Sequence, residues 1–330
     1  MEKKAVFQGK DVIEYTIENK NGMKLKALNY GGAITGLYPP TKEEMTNLIL
    51  SYDDYGLYEM NPYYLGAIIG RTSGRTAEGL ANVEGEVFEL AKNDGNNHLH
   101  GGEKGFARSF FDVEAKQQDL IFRYSSPDGE DGYPGTVDLK VTYTLSDDNQ
   151  LIIDYQAETD QTTPLNLTNH SYFILNGDTI LDHELLLNSE FFYELKEGSL
   201  PDKMTNVNDN SHFDFQNAKL LGEVLTKNDP QLNIAGGGID HPFLLKSGTP
   251  AAVLSHPESG RMLNVFTNDS AVVVYTGNQI KEDIKMNGRA GIKHGAVCLE
   301  TQSIPDHVED ILLRPEDTYK KRTVIQYLKK

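Results

Sequence analysis

The stretch VDLKVTYTLSDDNQLIIDYQAE, residues 137–158, decides the fold. Val137, Leu139, Val141, Tyr143 and Leu145 alternate with polar residues, and the alternation resumes after Asp147-Asp148-Asn149 with Leu151, Ile153, Tyr155 and Ala157. A period of two on both sides of a turn signal reads as two β-strands, each with one buried face. The same period recurs outward in both directions, in VIEYTIE (12–18), MKLKALNY (23–30), EVFELAK (86–92), LIFRYSS (120–126), RMLNVFTN (261–268), AVVVYTG (271–277) and TVIQYLKK (323–330). Turn spellings such as Asn21-Gly22 and Pro127-Asp128-Gly129 fall between them. Helical periodicity is confined to short stretches near Tyr52–Tyr58 and Asp306–Glu309. Without an alternation of strand and helix, a doubly wound sheet and a TIM barrel are both disfavoured. The expected class is all-β, a large antiparallel β-sandwich of two packed sheets. No linker divides the chain, so residues 1–330 are expected to form a single domain, with the polar segment Glu197–Asn210 as a long loop.

A globular chain of 330 residues buries roughly three-quarters of its unfolded surface, enough for a sizeable core. Hydrophobic residues make up 38% and charged residues 24%, and no apolar run is long enough to span a bilayer. The net charge of −18, with Lys/Arg clustered only in the last residues, speaks against nucleic acid as a partner. A small neutral ligand is the easier fit. No apolar segment follows Lys3-Lys4, so no secretory signal is expected and a cytoplasmic location is. The lone cysteine, Cys298, has no internal disulfide partner. In a strand it shares a face with Glu300, where it reads as a small buried hydrophobe, since no base neighbours it in sequence. Whether the protein is a monomer or a homodimer is left open.

Three distant segments carry ionisable groups in polar surroundings. In PLNLTNHSYFIL (164–175), alternation places Thr168, His170 and Tyr172 on one face. A lone histidine is ordinarily a core or surface residue, but the dense polar neighbours of His170 favour a task. Glu300 follows the apolar run Ala296–Leu299, and a buried glutamate needs a partner or a function. In NNHLHGG (96–102), His98 and His100 would share a face in a strand and could suggest a metal pair, a weak signal without further ligands nearby. The Gly101-Gly102 pair points instead to close backbone approach or a sharp turn. Arg71 and Arg75 sit in the Gly-rich GAIIGRTSGRTAEG (66–79), which lacks the Gly-Lys-Ser/Thr ending and following helix of a phosphate loop. Asp240 and His241 adjoin three glycines at 236–238, a common turn spelling.

The spellings LHGG (99–102), NLTNHSYF (166–173) and LETQSIPD (299–306), in this order, resemble the aldose 1-epimerases, or galactose mutarotases. The likeness runs almost throughout the chain and is weakest over residues 197–232. It implies a large single-domain β-sandwich that interconverts the α and β anomers of free hexoses such as galactose and glucose, without cofactor or metal. By this resemblance Glu300 is the general base, His170 the general acid, and His100 a hydrogen-bonding group near the ring oxygen and C1. Arg71 and Asp240 hold sugar hydroxyls, Asn97 belongs to the same binding set, and Tyr172 forms a possible wall. Tyr275 and Asn278, in a YTGN spelling the family shares, fit sugar binding loosely. Arg75 is expected to anchor its loop, and His98 to be a supporting or surface group. The chain departs from the family in lacking tryptophan, in reading Thr72-Ser73-Gly74 between the arginines, and in Ile174 after NLTNHSYF.

Ring opening removes the O1 proton and protonates O5, so a base and an acid at two edges of one pyranose suffice. A nearby carboxylate would help keep His170 charged at neutral pH. Three other readings compete. Epimerisation of a hexose 6-phosphate would need further Arg/Lys that this acidic chain does not obviously offer. A sugar-binding or sensing protein would not need an acid and a base matched across one ring. A glycoside hydrolase would present two carboxyl groups where these motifs give one.

Overall fold

In the computed structural model, residues 1–40, 46–210, 212–246 and 250–330 are described. Two antiparallel sheets carry the architecture. The larger has nine strands in the spatial order Asp112–Ala115, Asp119–Ser126, Val137–Leu145, Gln150–Thr159, Tyr319–Lys329, Arg261–Thr267, Ala252–His256, Glu184–Leu187 and Lys219–Leu220. The stretch that opens the sequence reading is a hairpin inside it, paired in register from Val137 opposite Thr159 to Leu145 opposite Leu151. The second has six strands, ordered Tyr172–Phe173, Val297–Gln302, Ala271–Tyr275, Asp240–Leu245, Ser189–Lys196 and Leu200–Asn206. An N-terminal four-stranded sheet, Glu2–Phe7, Lys10–Glu18, Lys24–Leu28 and Ile34–Tyr38, packs into the same core.

Period-two burial explains this arrangement. In Gln150–Thr159 the apolar residues Leu151, Ile153, Tyr155 and Ala157 are buried while Ile152 and Asp154 between them are less so. One contiguous cluster joins Val141, Tyr155, Leu263 and Ile325 of the nine-stranded sheet to Phe192, Phe243, Val272 and Leu299 of the six-stranded sheet. At roughly 25 cal/mol per Å² of apolar surface removed from water, this shared interior is the dominant stabilising term. The two layers therefore form the antiparallel β-sandwich expected from the sequence.

Three local expectations are corrected. Residues 200–206 are not loop: Leu200–Asn206 pairs with Ser189–Lys196 as the edge strand, with Asp202, Lys203 and Met204 exposed in succession, so no alternation marks it. Two short helices, Leu221–Leu225 and Pro230–Ile234, fall where the sequence offers too few residues for a helical period. The NLTNHSYF stretch is not one strand either. Thr168–Asn169 pairs with Ile68–Ile69, Tyr172–Phe173 pairs with Val297–Cys298, and the chain bends at His170-Ser171 between them. Near Tyr52–Tyr58 and Asp306–Glu309 the helical stretches are 3-10 turns, Tyr55–Tyr58 and Val308–Ile311. Among the described residues no helix is long and apolar enough to cross a membrane.

Candidate active site

The strand Val297–Gln302 is buried along its whole length, so both of its faces meet protein. Leu299 and Thr301 point into the sandwich beside Ile153, Tyr155, Thr323 and Ile325, and the Thr301 and Thr323 hydroxyls hydrogen-bond across the two layers. Alternation then turns Cys298, Glu300 and Gln302 to the opposite face. Pairing sets Val273 opposite Glu300 and Asp240 opposite Tyr275. These side chains floor a cleft of about 310 Å³ walled by Tyr63, Tyr64, Arg75, His100, His170 and Tyr172. Its rim comes from Leu195, Ser199 and the segment Asn233–Gly236. That segment is held by the Pro230–Ile234 helix, which Asp229 caps by accepting the Gln231 N–H at 2.8 Å.

Glu300 and His170 meet on the floor, with His170 Nε2 3.4 Å from Glu300 Oε1. Gln302 Nε2 reaches Glu300 Oε2 at 3.4 Å. Burial pushes the Glu300 carboxyl well above the usual carboxylate range, and the charge of Asp240 adds to this, while Gln302 and Arg75 oppose it. Burial likewise lowers the His170 imidazole, to about 4. A protonated carboxyl beside a neutral imidazole holds the same two protons as a carboxylate beside an imidazolium. Burial thus favours the neutral form of the pair, and one proton shift inside it generates the ionised form. The His170 ring is stacked on Tyr172, centroids 5.0 Å apart, with the Cys298 sulfur 3.5 Å from its Nδ1.

His100 comes from the turn after the short strand His98–Leu99 and lies in the left-handed region, φ +52°. This conformation costs a non-glycine residue of order 1 kcal/mol and turns the ring away from the face of His98. Gly101 makes the turn possible, because a Cβ there would lie 1.7 Å from the Gly70 carbonyl oxygen. The Gly74 N–H donates to His100 Nδ1 at 3.2 Å, and the His100 N–H donates to the Gly74 carbonyl at 3.1 Å. His98 points elsewhere, buried, with Nδ1 at 2.6 Å from the Ala91 carbonyl and Nε2 at 2.6 Å from the Tyr133 hydroxyl. No shared metal pair arises from the two.

The two arginines sit opposite to expectation, Arg71 inside the fold and Arg75 at the cleft. Arg71 is sealed inside, its guanidinium making five hydrogen bonds to Ser126 Oγ and to the oxygens of Ser126, Pro127, Pro134 and Thr163, so it anchors structure and does not face the cleft. Arg75 is the one that lines the cleft, held by Asp94 at 2.7 Å and lying 3.6 Å from Asp240. Asp240 lines the cleft; burial raises its carboxyl, and Arg75 opposes the rise. Asn97 is outside the cleft: its Oδ1 accepts the Glu78 N–H and its backbone closes a turn with Asp94, so its contribution is to the support behind Arg75. Tyr172 is a wall, with its hydroxyl spent on the Tyr63 carbonyl at 2.9 Å. Tyr275 also lines the cleft, whereas the Asn278 amide is consumed by the carbonyls of Ala235 and Ile239. Thr168 faces the sandwich interior, not the cleft, because of the bend at His170.

Tyr64, Gln302 and Gln279 line the cleft without having been singled out by sequence. The signals were present: a tyrosine pair after Pro62, and glutamines inside LETQ and YTGNQ.

Among the described residues, His100, His170 and Glu300 form the one group whose ligand-type atoms lie close enough for a metal ion, within 4.8 Å of one another. With the Gly74 N–H on Nδ1, however, neutral His100 carries its proton on Nε2, so that nitrogen presents a donor where a metal would need a lone pair.

A family model described as aldose 1-epimerase matches residues 14–326. A galactose mutarotase of Bos taurus is 35% identical over 318 residues, covering 92% of this chain and 91% of that protein. An aldose 1-epimerase of Haemophilus influenzae is 33% identical over 300 residues, covering 88% and 86%. Among solved structures, a galactose 1-epimerase from Lactobacillus acidophilus superposes with a TM-score of 0.89 at 31% identity, covering 99% of this chain and 98% of that one.

Proposed function

The chain belongs to the aldose 1-epimerase family, and on that premise we propose that it interconverts the α and β anomers of free galactose and glucose through Glu300 and His170. It is an isomerase that acts on a sugar. The observation that carries the assignment of roles is the 3.4 Å approach of His170 Nε2 to Glu300 Oε1 on the cleft floor. In the ionised form of the pair, the Glu300 carboxylate removes the O1 proton while His170 delivers one to O5. The C1–O5 bond breaks and the C1–O1 bond becomes a carbonyl. Rotation about C1–C2 and the reverse transfers close the ring on the other face, and both groups end as they began. His100 donates toward the reacting end of the sugar, and Arg75 and Asp240 hold the remaining hydroxyls in register. No redox change or hydrolysis occurs, so the reaction calls for no cofactor. The phosphosugar and non-catalytic readings are not favoured by relatives of these names.

Polarimetry on freshly dissolved α-D-galactose and α-D-glucose tests this, with Glu300→Gln as the comparison. Removing a general base costs about 10²–10⁴-fold, and the variant is expected to fall by that much with an unchanged circular dichroism spectrum. Near-normal turnover in it would remove the mechanism. The same reading puts the enzyme in the cytoplasm on a monosaccharide, without a nucleic-acid or membrane partner. Sedimentation decides between monomer and homodimer.

A further inference from the structure

The two imidazoles of the cleft meet opposite kinds of neighbour. His100 Nδ1 receives the Gly74 N–H at 3.2 Å, so this nitrogen keeps a lone pair and the neutral ring carries its proton on Nε2. Nε2 has no protein partner among the described residues and belongs to a ring that lines the cleft. His170 receives no backbone N–H on its ring. Its Nε2 looks at Glu300 Oε1 and its Nδ1 at the Cys298 sulfur, so either nitrogen can hold a proton.

A second proton on His100 would be aimed at an N–H group. It would also be added next to the cations of Arg75 and Arg108 and beside His98 and His170, with Tyr64 edge-on at 4.8 Å. Of the carboxyl groups of the cleft, Glu300 is pushed well above its usual range by burial and Asp240 is already paired with Arg75 at 3.6 Å. Burial and these charges together hold the His100 imidazole well below its usual range.

The donor is fixed as firmly as the acceptor. Gly74 has φ +72°, and a Cβ on it would lie 2.5 Å from the Pro305 ring, so the position requires glycine. Ser73 next to it gives its N–H to the Asn166 carbonyl at 2.9 Å and its hydroxyl to Gln302 Oε1 at 2.5 Å. Thr72 bonds the Tyr133 hydroxyl at 2.6 Å, and Tyr133 in turn reaches His98. The Thr72-Ser73-Gly74 loop, the spelling that departs from the family, is thereby tied down at every residue. Through Ser73 and Gln302 it also reaches Glu300.

We propose that Gly74 is a positioning residue that locks His100 as a permanently neutral Nε2–H donor to the reacting end of the sugar, leaving all proton exchange to His170 and Glu300. This rests on the reaction assigned in the preceding section. The lock is read by nitrogen-15 NMR of the histidine side chains in the whole enzyme across the neutral pH range, with and without galactose. His100 is expected to keep a protonated Nε2 and a bare Nδ1 and not to titrate, while the His170 signals shift when sugar binds. A His100 that titrates there, or that carries its proton on Nδ1, would overturn the proposal.

Substitution gives a second readout. Removing one fixed donor costs about 10²-fold or more, which is the expectation for His100→Ala. His100→Gln keeps an N–H that can donate but cannot titrate, and is expected to recover most of that loss with an unaltered pH profile. Equal inactivity of the two variants at equal thermal stability would overturn the donor role. Gly74→Ala is expected to lower kcat and to bring a histidine titration into the pH profile. A wild-type enzyme without mutarotation but with the Nε2–H form intact would defeat the assigned reaction while leaving the lock standing, so the two failures are distinguishable.

Discussion

A guanidinium enclosed by oxygens, as at Arg71, leaves several buried acceptors unpaired when it is removed, whereas removing Arg75 from the cleft wall leaves Asp94 and Asp240 without their cation, and of these only Asp240 lines the cleft. Arg71→Ala is therefore expected to lose about 3 kcal/mol or more of stability, seen as a large drop in the urea midpoint. Arg75→Ala should instead reduce kcat/KM about 10- to 100-fold, the scale of one or two hydrogen bonds to a charged group, with a small change in the midpoint. The opposite pattern would restore Arg71 to the sugar. Sequence could not separate the two, because both follow a glycine within a few residues of one strand, and only packing shows which side of the loop each faces. His170 and Glu300 were legible because burial of an ionisable group needs a reason that can be argued from its neighbours. Ser73 was not, since a serine in a loop has no distinguishing spelling until its hydroxyl meets Gln302. The acid–base pair also sets the pH profile. Its active state holds one transferable proton, so a second protonation at His170 gives an acid limb near 4 and loss of the proton from Glu300 an alkaline limb well above the usual carboxylate range. Measuring kcat/KM against pH checks both limbs; an acid limb at the ordinary histidine value would contradict the buried neutral pair.

Among the elements, the Val297–Gln302 strand is decisive because one face serves the interior and the other the cleft. Thr301→Val removes the hydroxyl that reaches Thr323 in the other sheet and leaves that partner unpaired. The expected cost is about 1–2 kcal/mol in a denaturant titration, with kcat retained since the side chain points away from Glu300. A fall in kcat without a fall in stability would mean that the two faces are not independent. Period-two patterning made the long strands readable, from Val137–Leu145 to Tyr319–Lys329. It failed for Leu200–Asn206, where Asp202, Lys203 and Met204 are exposed in succession and burial does not alternate, and at His170-Ser171, where the backbone passes within two residues from the pairing with Ile68–Ile69 into the six-stranded sheet.

At the scale of the whole molecule, burial holds His98, His100, His170, His183, His241 and His294 below their usual range. Unfolding frees them to protonate, so the unfolded chain binds more protons below about pH 6.5. Stability contributed by these groups is present above that value and is lost as pH falls through the folded values, which lie at about 3 for His183 and His241 and about 4 for His170. Glu300, Asp240 and Asp269 are raised and act with the opposite sign. With six groups against three, the melting temperature is expected to decline steadily on acidification from neutral pH toward 4, which differential scanning calorimetry would register. A flat response over that interval would mean that the histidines are not held neutral.

Because the carboxylate rides on a strand locked into both layers while the rim is built from a hairpin tip and a five-residue helix, the two should come apart at different denaturant concentrations. Sub-denaturing urea would then fray the sugar's grip first, raising KM at constant kcat. Turnover at saturating sugar would persist until the sandwich itself dissolves, so the chemistry of this enzyme would outlast its selectivity.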